Sequence, residues 1–304
     1  MTNYTLTAAI DNFSGGFAND VFSGPGGGED TLRGNGGHDR FRIESSQIGL
    51  INGGGGNDRI TMSGAFNNSF DPGLRIVGVE NFYTNNTNHY GTVAQFSSFT
   101  KIIPLGGGTE FHIFLQGAGG TLNLSTKYTA TQKLSVEAEL ATSRVVLVGS
   151  ERGDEFIGSD FNDAINGGRG NDRAYGGAGN DLINGSRGRD HLFGDDGRDV
   201  FLFNVAPGSA NRDRIGDFRP EDDTIRLENS VFKGLATGWL AAGRFKDIGT
   251  GTQDANDRVL YDSDDGRLYF DGDGLGGSGP KLVAILDNFS GDIPNLTAAD
   301  LYIV

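Results

Sequence analysis

From Gly149 to Leu202 the chain divides without a gap into six nine-residue units: GSERGDEFI, GSDFNDAIN, GGRGNDRAY, GGAGNDLIN, GSRGRDHLF and GDDGRDVFL. The first position is Gly in every unit. The sixth is Asp: Asp154, Asp163, Asp172, Asp181, Asp190 and Asp199. The eighth is apolar: Phe156, Ile165, Ala174, Ile183, Leu192 and Phe201. A period held this tightly restricts the chain to a stacked repeat architecture. Paired glycines permit backbone dihedrals that a Cβ forbids, so each unit can turn tightly with its carbonyls aimed inward. The apolar eighth residue belongs to a short strand that points into a narrow core. One nonapeptide is therefore a loop plus a strand, and two make one turn of a flattened coil. A flexible glycine linker would have no reason to keep an apolar residue at every eighth position.

Loops two units apart stack on the same edge, which predicts cation sites between them. Aspartate is a hard, anionic donor; calcium takes about six to eight oxygens and accepts backbone carbonyls as readily as carboxylates. The expected pairs are Asp154 with Asp172, Asp163 with Asp181, Asp172 with Asp190, and Asp181 with Asp199. That makes four full sites, with partial ones at the ends of the stack. The carbonyls of Gly167, Arg169, Gly176, Ala178, Gly185 and Arg187 are the candidate backbone ligands. A degenerate copy near the N-terminus, GGFANDVFS, PGGGEDTLR, GNGGHDRFR and GGGGNDRIT, carries Asp20, Asp30, Asp39 and Asp58 at the sixth position. Asp20, Asp39 and Asp58 are spaced by 19 residues, close to one turn. Asp30 lacks a mate near Gln47. Two sites are expected on one edge and a poor one on the other.

With 25 basic and 40 acidic residues the net charge is −15. Such a chain repels nucleic acid and anionic lipid and attracts cations. Cysteine is absent, which excludes disulfides. No apolar run is long enough to span a bilayer. Residues 1–20 lack a basic segment followed by an apolar one, so a cleavable Sec-type signal is not expected.

The nonapeptides resemble the G-G-x-G-x-D-x-U-x repeat of RTX proteins, a calcium-binding parallel β-helix. From Arg144 to Val304 the chain also resembles the β-roll and cap of serralysin-type and related type I secreted proteins. That second resemblance implies a β-sandwich-like cap closing the open end of the coil, where unpaired strand edges would otherwise be exposed. It implies that the last five residues, Asp300-Leu301-Tyr302-Ile303-Val304, are an uncleaved signal read by a type I secretion apparatus. On pattern alone an ordinary final strand is the better explanation; the absent cysteine, the absent N-terminal signal and the calcium repeats favour the signal. Within the same stretch, Val259 and Tyr261 alternate toward a DDG turn followed by Leu268 and Phe270, which reads as a hairpin. Asp271-Gly272-Asp273-Gly274-Leu275-Gly276 begins like an EF-hand loop, but position five is Leu and position twelve is Leu282. A turn is the preferred reading there and at Asp262-Ser263-Asp264-Asp265-Gly266. Asp213 and Asp217 are candidates to complete a terminal site.

Between the two repeat blocks the loops lose their aspartates while apolar clusters persist, at Leu74–Val79, Lys101–Leu105, Phe111–Leu115, Leu122–Leu124, Leu134–Val136 and Val145–Val148. Gly106-Gly107-Gly108 and Gly117-Ala118-Gly119-Gly120 read as turns between them. A parallel β-helix without calcium is expected, and only Val136–Ala141 tolerates a helix. The fold class is therefore all-β: a parallel β-roll or β-helix solenoid with calcium-binding turns. Its segments are 1–61 (degenerate β-roll), 62–148 (β-helix without calcium loops), 149–204 (calcium-binding β-roll) and 205–304 (cap with secretion signal).

No H-E-x-x-H and no G-x-S-x-G occurs, so neither a zinc protease nor a serine hydrolase of the usual kinds is encoded. His38 and His191 fill the fifth and seventh slots of repeats and read as exposed residues. A polysaccharide lyase or C5-epimerase needs a base, an acid and a cation to neutralise a uronate. His89 with Tyr83 and Tyr90, together with His112, Lys127, Tyr128 and Arg144, are the residues that such chemistry would use. Two functions therefore stand. The preferred one is a secreted, extracellular calcium-binding protein without catalysis, acting as an adhesin, structural component or effector. The other is a calcium-dependent polysaccharide-modifying enzyme with its site on the middle segment. The expected partners are calcium, the secretion apparatus and an extracellular polysaccharide or cell surface, with no nucleic acid and no membrane span.

Overall fold

A computed structural model describes residues 1–7, 11–23, 30–43, 48–62, 69–84, 88–105, 109–287 and 291–304. The chain forms two compact units, Met1–Val146 and Leu147–Val304. Both are built almost wholly of short strands. Among the described residues, no helix is long and apolar enough to cross a membrane.

In the first unit successive strands alternate between two parallel sheets. One sheet takes Asn3–Thr5, Val21–Ser23, Arg40–Ile43, Arg59–Met62, Asn81–Thr84 and Lys101–Pro104. The other takes Asn12–Ser14, Asp30–Arg33, Ile48–Asn52 and Arg75–Val77. Register advances one turn at a time: Val21 pairs Arg40, and Arg40 pairs Arg59. Because side chains alternate across a strand, Phe22, Phe41, Ile60, Phe82 and Ile102 form one buried column. Tyr4, Phe22 and Phe41 stack in it with ring centroids 4.8 Å apart, which is the spacing of neighbouring strands. A third parallel set follows: Asn88–Gly91, Glu110–Gly117 and Lys133–Ala141.

One local expectation for this unit fails. Val136–Ala141, read as β-helix though tolerant of helix, lies inside the long strand Lys133–Ala141. Its EAEL run favours helix locally, but Leu134, Val136 and Ala138 alternate into the core opposite Phe111 and Ile113, and pairing overrides propensity. A helix occurs instead at Val93–Ser98. It is started by a reciprocal capping box: Gln95 N–H donates to Thr92 Oγ1 at 3.2 Å, and Thr92 N–H to Gln95 Oε1 at 2.8 Å. The Gly106–Gly108 turn lies outside the described residues.

In the second unit each nonapeptide places its strand at positions seven to nine. Glu155–Ile157, Arg173–Tyr175, His191–Phe193 and Asp213–Ile215 pair in one sheet. Ala164–Asn166, Leu182–Asn184, Val200–Phe203 and Thr224–Leu227 pair in the other. All six eighth-position residues are buried, none more than 2% exposed. The last hundred residues extend both sheets. Lys281–Leu286 adds in parallel to Asp213–Ile215, then an antiparallel hairpin, Val259–Asp262 with Arg267–Phe270, adds to it. Tyr261 faces Leu268 and Val259 faces Phe270, as the alternation indicated. The hairpin turn is closed by Gly266 N–H to Asp262 O at 2.8 Å, with Gly266 at φ +73°. Leu301–Ile303 pairs in parallel with Thr224–Leu227, and Leu301 and Ile303 are fully buried.

The eighth-position column should carry most of the hydrophobic stabilisation. Ile183→Ala is expected to cost about 2–5 kcal/mol, read by urea denaturation at saturating calcium. A cost below about 1 kcal/mol would mean that Ile183 does not sit in a packed core.

Candidate metal centre

Each sixth-position aspartate lies just before its strand and is almost wholly buried; Asp154, Asp163, Asp172, Asp181, Asp190 and Asp199 are at most 2% exposed. Their carboxylates form two ladders. On one edge Asp154 N–H donates to Asp172 Oδ1, Asp172 N–H to Asp190 Oδ1 and Asp190 N–H to Asp213 Oδ1, at 2.8, 2.8 and 3.0 Å. On the other, Asp163 donates to Asp181, Asp181 to Asp199 and Asp199 to Asp223, at 2.7, 2.8 and 3.0 Å. The pairs expected from the spacing are thus brought together rung by rung. The same contact runs through the N-terminal block: Asp20 N–H to Asp39, Asp39 to Asp58 and Asp58 to Glu80, at 2.7, 2.8 and 2.7 Å. Asp30 accepts from Asp11 N–H at 2.8 Å, one turn upstream. Gln47 lies outside the described residues.

The second carboxylate oxygen separates the rungs. In the first turns it is capped by the backbone of its own loop. Ser150 N–H donates to Asp154 Oδ2 at 2.7 Å, Ser159 N–H to Asp163 Oδ2 at 2.6 Å, and Gly16 N–H to Asp20 Oδ2 at 2.8 Å. Ser159 Oγ adds a further bond to Asp163 Oδ2 at 2.8 Å. In the inner turns the second loop residue is left-handed: Gly168, Gly177 and Ser186 have φ of +97°, +95° and +65°, and Asn35 and Gly54 +71° and +92°. There Oδ2 of Asp172, Asp181, Asp190, Asp39 and Asp58 is buried with no hydrogen-bond partner, as is Oδ2 of Asp30. Leaving such an oxygen unpaired costs about 1–3 kcal/mol, more for a charged group.

The first glycine of each unit borders this oxygen. A Cβ on Gly167, Gly176, Gly185 or Gly194 would overlap Oδ2 of Asp172, Asp181, Asp190 or Asp199. The carbonyls of Gly185 and Gly194 come from the next turn into the space beside Oδ2 of Asp172 and Asp181, while those of Gly167 and Gly176 come beside the capped carboxylates of Asp154 and Asp163. The third-position residues stack as well, Arg169 over Arg187 and Ala178 over Asp196. The Arg187 carbonyl already accepts from Gly170 N–H at 3.0 Å, which leaves it one lone pair. Among the described residues no group of three or more Asp, Glu, His or Cys gathers at one point. Any cation here must therefore draw on backbone oxygens beside one or two carboxylates, which is the hard-oxygen chemistry of calcium.

Electrostatics marks the same rungs. Burial, and then the carboxylates of Asp190, Asp154 and Asp213, push Asp172 up to about 8. Burial followed by Asp199 and Asp163 pushes Asp181 up to about 7, and burial followed by Asp223 and Asp217 does the same to Asp199. Asp190 and Asp213 are both raised, chiefly by burial. In the N-terminal block Asp39 and Asp58 are raised by burial as well. A column of buried like charges is unfavourable unless protons or cations offset it.

The RTX calcium-binding nonapeptide repeat family model matches in four copies, at residues 7–41, 50–61, 148–183 and 175–203. Among solved structures the chain is similar to the solution structure of the AlgE6R3 subunit from the Azotobacter vinelandii mannuronan C5-epimerase, with 32% identity, 51% of this chain and 80% of that chain covered, and a TM-score of 0.33. The chain belongs to the RTX family. A comparison with curated proteins gave no match. As an RTX protein it binds calcium through its repeats.

Sequence reading of the RTX ladders found one end, Asp213, and missed the others: Glu80, Asp223 and Asp11 were not foreseen. Asp217, the other candidate for a terminal site, stands next to the last loop. It accepts from Gly194 N–H at 3.0 Å and Asp195 N–H at 2.7 Å, beside the rungs. The signal that finds the ends is shorter than the nonapeptide: an acid, any residue, then an apolar residue opening a strand. Asp11-Asn12-Phe13, Glu80-Asn81-Phe82, Asp213-Arg214-Ile215 and Asp223-Thr224-Ile225 all carry it.

Four of the residues considered for sugar chemistry have local partners. His89 is fully buried, with Nε2 2.9 Å from Thr84 Oγ1 and its ring packed on Phe82 and Phe111. Lys127 Nζ donates to the carbonyls of Ser97 and Phe99, and Tyr128 is buried. His112 lies 3.5 Å from each of Glu110 and Glu137. His38 and His191 are exposed, as expected.

Two outcomes follow from this arrangement. Asp172→Ala and Asp181→Ala should each lower calcium stoichiometry in equilibrium dialysis, and Asp154→Ala should lower it less, because Ser150 already caps that carboxylate. Equal losses in all three would refute the ranking. Calcium must also displace protons from carboxylates whose pKa is raised in the fold, so affinity should fall as pH drops from about 8 to about 6. With chelator the sign reverses for folding: the folded state binds more protons than the unfolded one, so a chain disordered at pH about 8 should gain β signal as pH falls toward about 4. Calcium titrations and, in chelator, circular dichroism at the two ends of each range check both.

Proposed function

We propose that this RTX protein is a secreted, non-catalytic scaffold that folds when extracellular calcium fills its loops. The observation that carries the reading is the set of buried, unpartnered carboxylate oxygens on Asp172, Asp181 and Asp190. The surroundings of Asp172 and Asp181 suit calcium better than a proton donor, because the Gly185 and Gly194 carbonyls face the same space and carry no hydrogen to give. In this reading ions lie between Asp154 and Asp172, Asp163 and Asp181, Asp172 and Asp190, and Asp181 and Asp199. Gly167, Arg169, Gly176, Ala178, Gly185 and Arg187 contribute carbonyls. Asp20, Asp39 and Asp58 form a lesser set, with Asp30 on the opposite edge. The divisions 1–61, 62–148, 149–204 and 205–304 follow this function.

Calcium here is structural; it neutralises charge and ties turns together. Without it, a net charge of −15 and the conformational entropy of a glycine-rich chain both oppose folding. Extracellular sites of this type have dissociation constants on the order of 10⁻⁴ to 10⁻³ M, so cytosolic calcium leaves them empty. The chain would then stay extended while a type I apparatus exports it. Leu301 and Ile303 are buried in the last strand, so an export apparatus would have to read them before folding. Support for a non-catalytic role comes from the absence of the protease and hydrolase motifs and from the burial of His89.

Far-ultraviolet circular dichroism tests the linkage. The spectrum should be that of a disordered chain in chelator and gain β signal cooperatively as free calcium rises through about 0.1–1 mM. A β signal of equal size in chelator would remove the proposal.

A further inference from the structure

Beside the N-terminal aspartate ladder, the first unit carries a polar pocket of about 240 Å³ bordered by Arg40, Arg59, Tyr83, His38, Asn57 and Asn81. It opens on the outer face of the six-stranded sheet. The inward column there is Phe41, Ile60, Phe82 and Ile102. The outward positions are in register: Arg40 pairs Arg59, Arg59 pairs Asn81, and Asn81 pairs Lys101. Arg40 and Arg59 thus stand on adjacent rungs, at a spacing of about 4.8 Å, while Asn81 on the next rung is buried and donates to Asn57 Oδ1 and the Asp58 carbonyl.

Neither arginine is ion-paired. The Arg59 guanidinium lies over the Tyr83 ring, 5.4 Å from its centre, a cation–π contact. Its Nε is buried and has no hydrogen-bond partner. Among the described residues Arg40, Arg59 and Lys101 form no ion pair, although the chain has 40 acidic residues to choose from. Asp39 also borders the pocket, but it is 1% exposed and its Oδ1 is occupied by Asp20 N–H. Beside the arginines runs a polar ladder. His38 N–H donates to Asn19 Oδ1 and Asn57 N–H to His38 Nδ1, both at 2.8 Å, and Asn81 Nδ2 donates to Asn57 Oδ1. The exposed His38 and Asn57 side chains stand at its outer edge.

We propose that this face binds a linear, carboxylate-bearing saccharide, with Arg40 and Arg59 taking successive carboxylates. A guanidinium fork matches a planar carboxylate in two parallel hydrogen bonds. Amide and imidazole groups suit sugar hydroxyls. The rung spacing is close to the length of one pyranose ring along an extended chain, so the repeat of the ligand and that of the sheet run in step. A nucleic acid fits worse: Arg59 covers one face of Tyr83, which leaves little aromatic surface for a base to stack on. This inference rests on reading the chain as a calcium-folded binding scaffold.

The test uses the full chain at saturating calcium. Trigalacturonate is titrated by calorimetry, with maltotriose, inorganic phosphate and a thymidine oligonucleotide as comparison ligands. Trigalacturonate should bind saturably and maltotriose should not. Arg40→Ala and Arg59→Ala should each weaken binding about tenfold or more, with Arg244→Ala in the second unit leaving it unchanged. Circular dichroism on the same samples reports calcium-dependent folding, so failure of the scaffold reading is seen separately from failure of sugar binding. Loss of β signal in an arginine variant is met by Arg59→Gln, which keeps the stem and removes the charge and should weaken binding equally. The proposal is overturned if trigalacturonate does not bind the folded protein, if the arginine variants bind it as well as the parent, or if phosphate or the oligonucleotide binds as tightly.

Discussion

The structure depends on one contact repeated along each edge. The backbone N–H of an aspartate donates to the carboxylate of the aspartate one turn later. That contact fixes the register of parallel strands, aims the carboxylate along the stack and buries it. Parallel pairing of three-residue strands gives few hydrogen bonds per turn, so the ladder of charge-assisted bonds is a large share of what aligns the turns. It also creates the central difficulty of the fold, since each turn adds a buried negative charge above another. The RTX repeat answers this with a second oxygen left open to a cation in the inner turns and capped by Ser150, Ser159 or Gly16 in the outermost ones.

The solenoid was legible because its two rules are local. Gly at position one leaves room for the carboxylate, and an apolar residue at position eight fills the core; both can be counted along the chain. The hairpin around Gly266 was legible for the same reason. What was not legible depended on partners distant in sequence. The EAEL run at 137–140 tolerates helix until Glu110–Gly117 is beside it. Glu80 and Asp223 lack the glycines of the repeat, and their intervals of 22 and 24 residues hide them from any search at fixed period. Thr92 and Gln95 carried a readable capping signal that the surrounding strand pattern masked.

His89 illustrates the limit of reading chemistry from residue type. Its neighbours in sequence are tyrosines and asparagines, which suggests a polar site. The period-two alternation of Asn88–Gly91 turns it inward against Phe82 and Phe111, where it is a core residue with a hydroxyl partner. The same alternation turns Arg40 and Arg59 outward on their strands. Whether a residue can meet a ligand was decided by strand parity, which the degenerate N-terminal repeats left ambiguous.

Two nonapeptides per turn also give the array a parity. Removing a pair of units would shorten the solenoid by one layer and leave every later strand in its own sheet. Removing a single unit would send each later strand to the opposite sheet, so that Asp213 met the column built for Asp223. Growth and loss of such arrays are therefore quantised in eighteens, and a nine-residue slip is a change of topology, not of length.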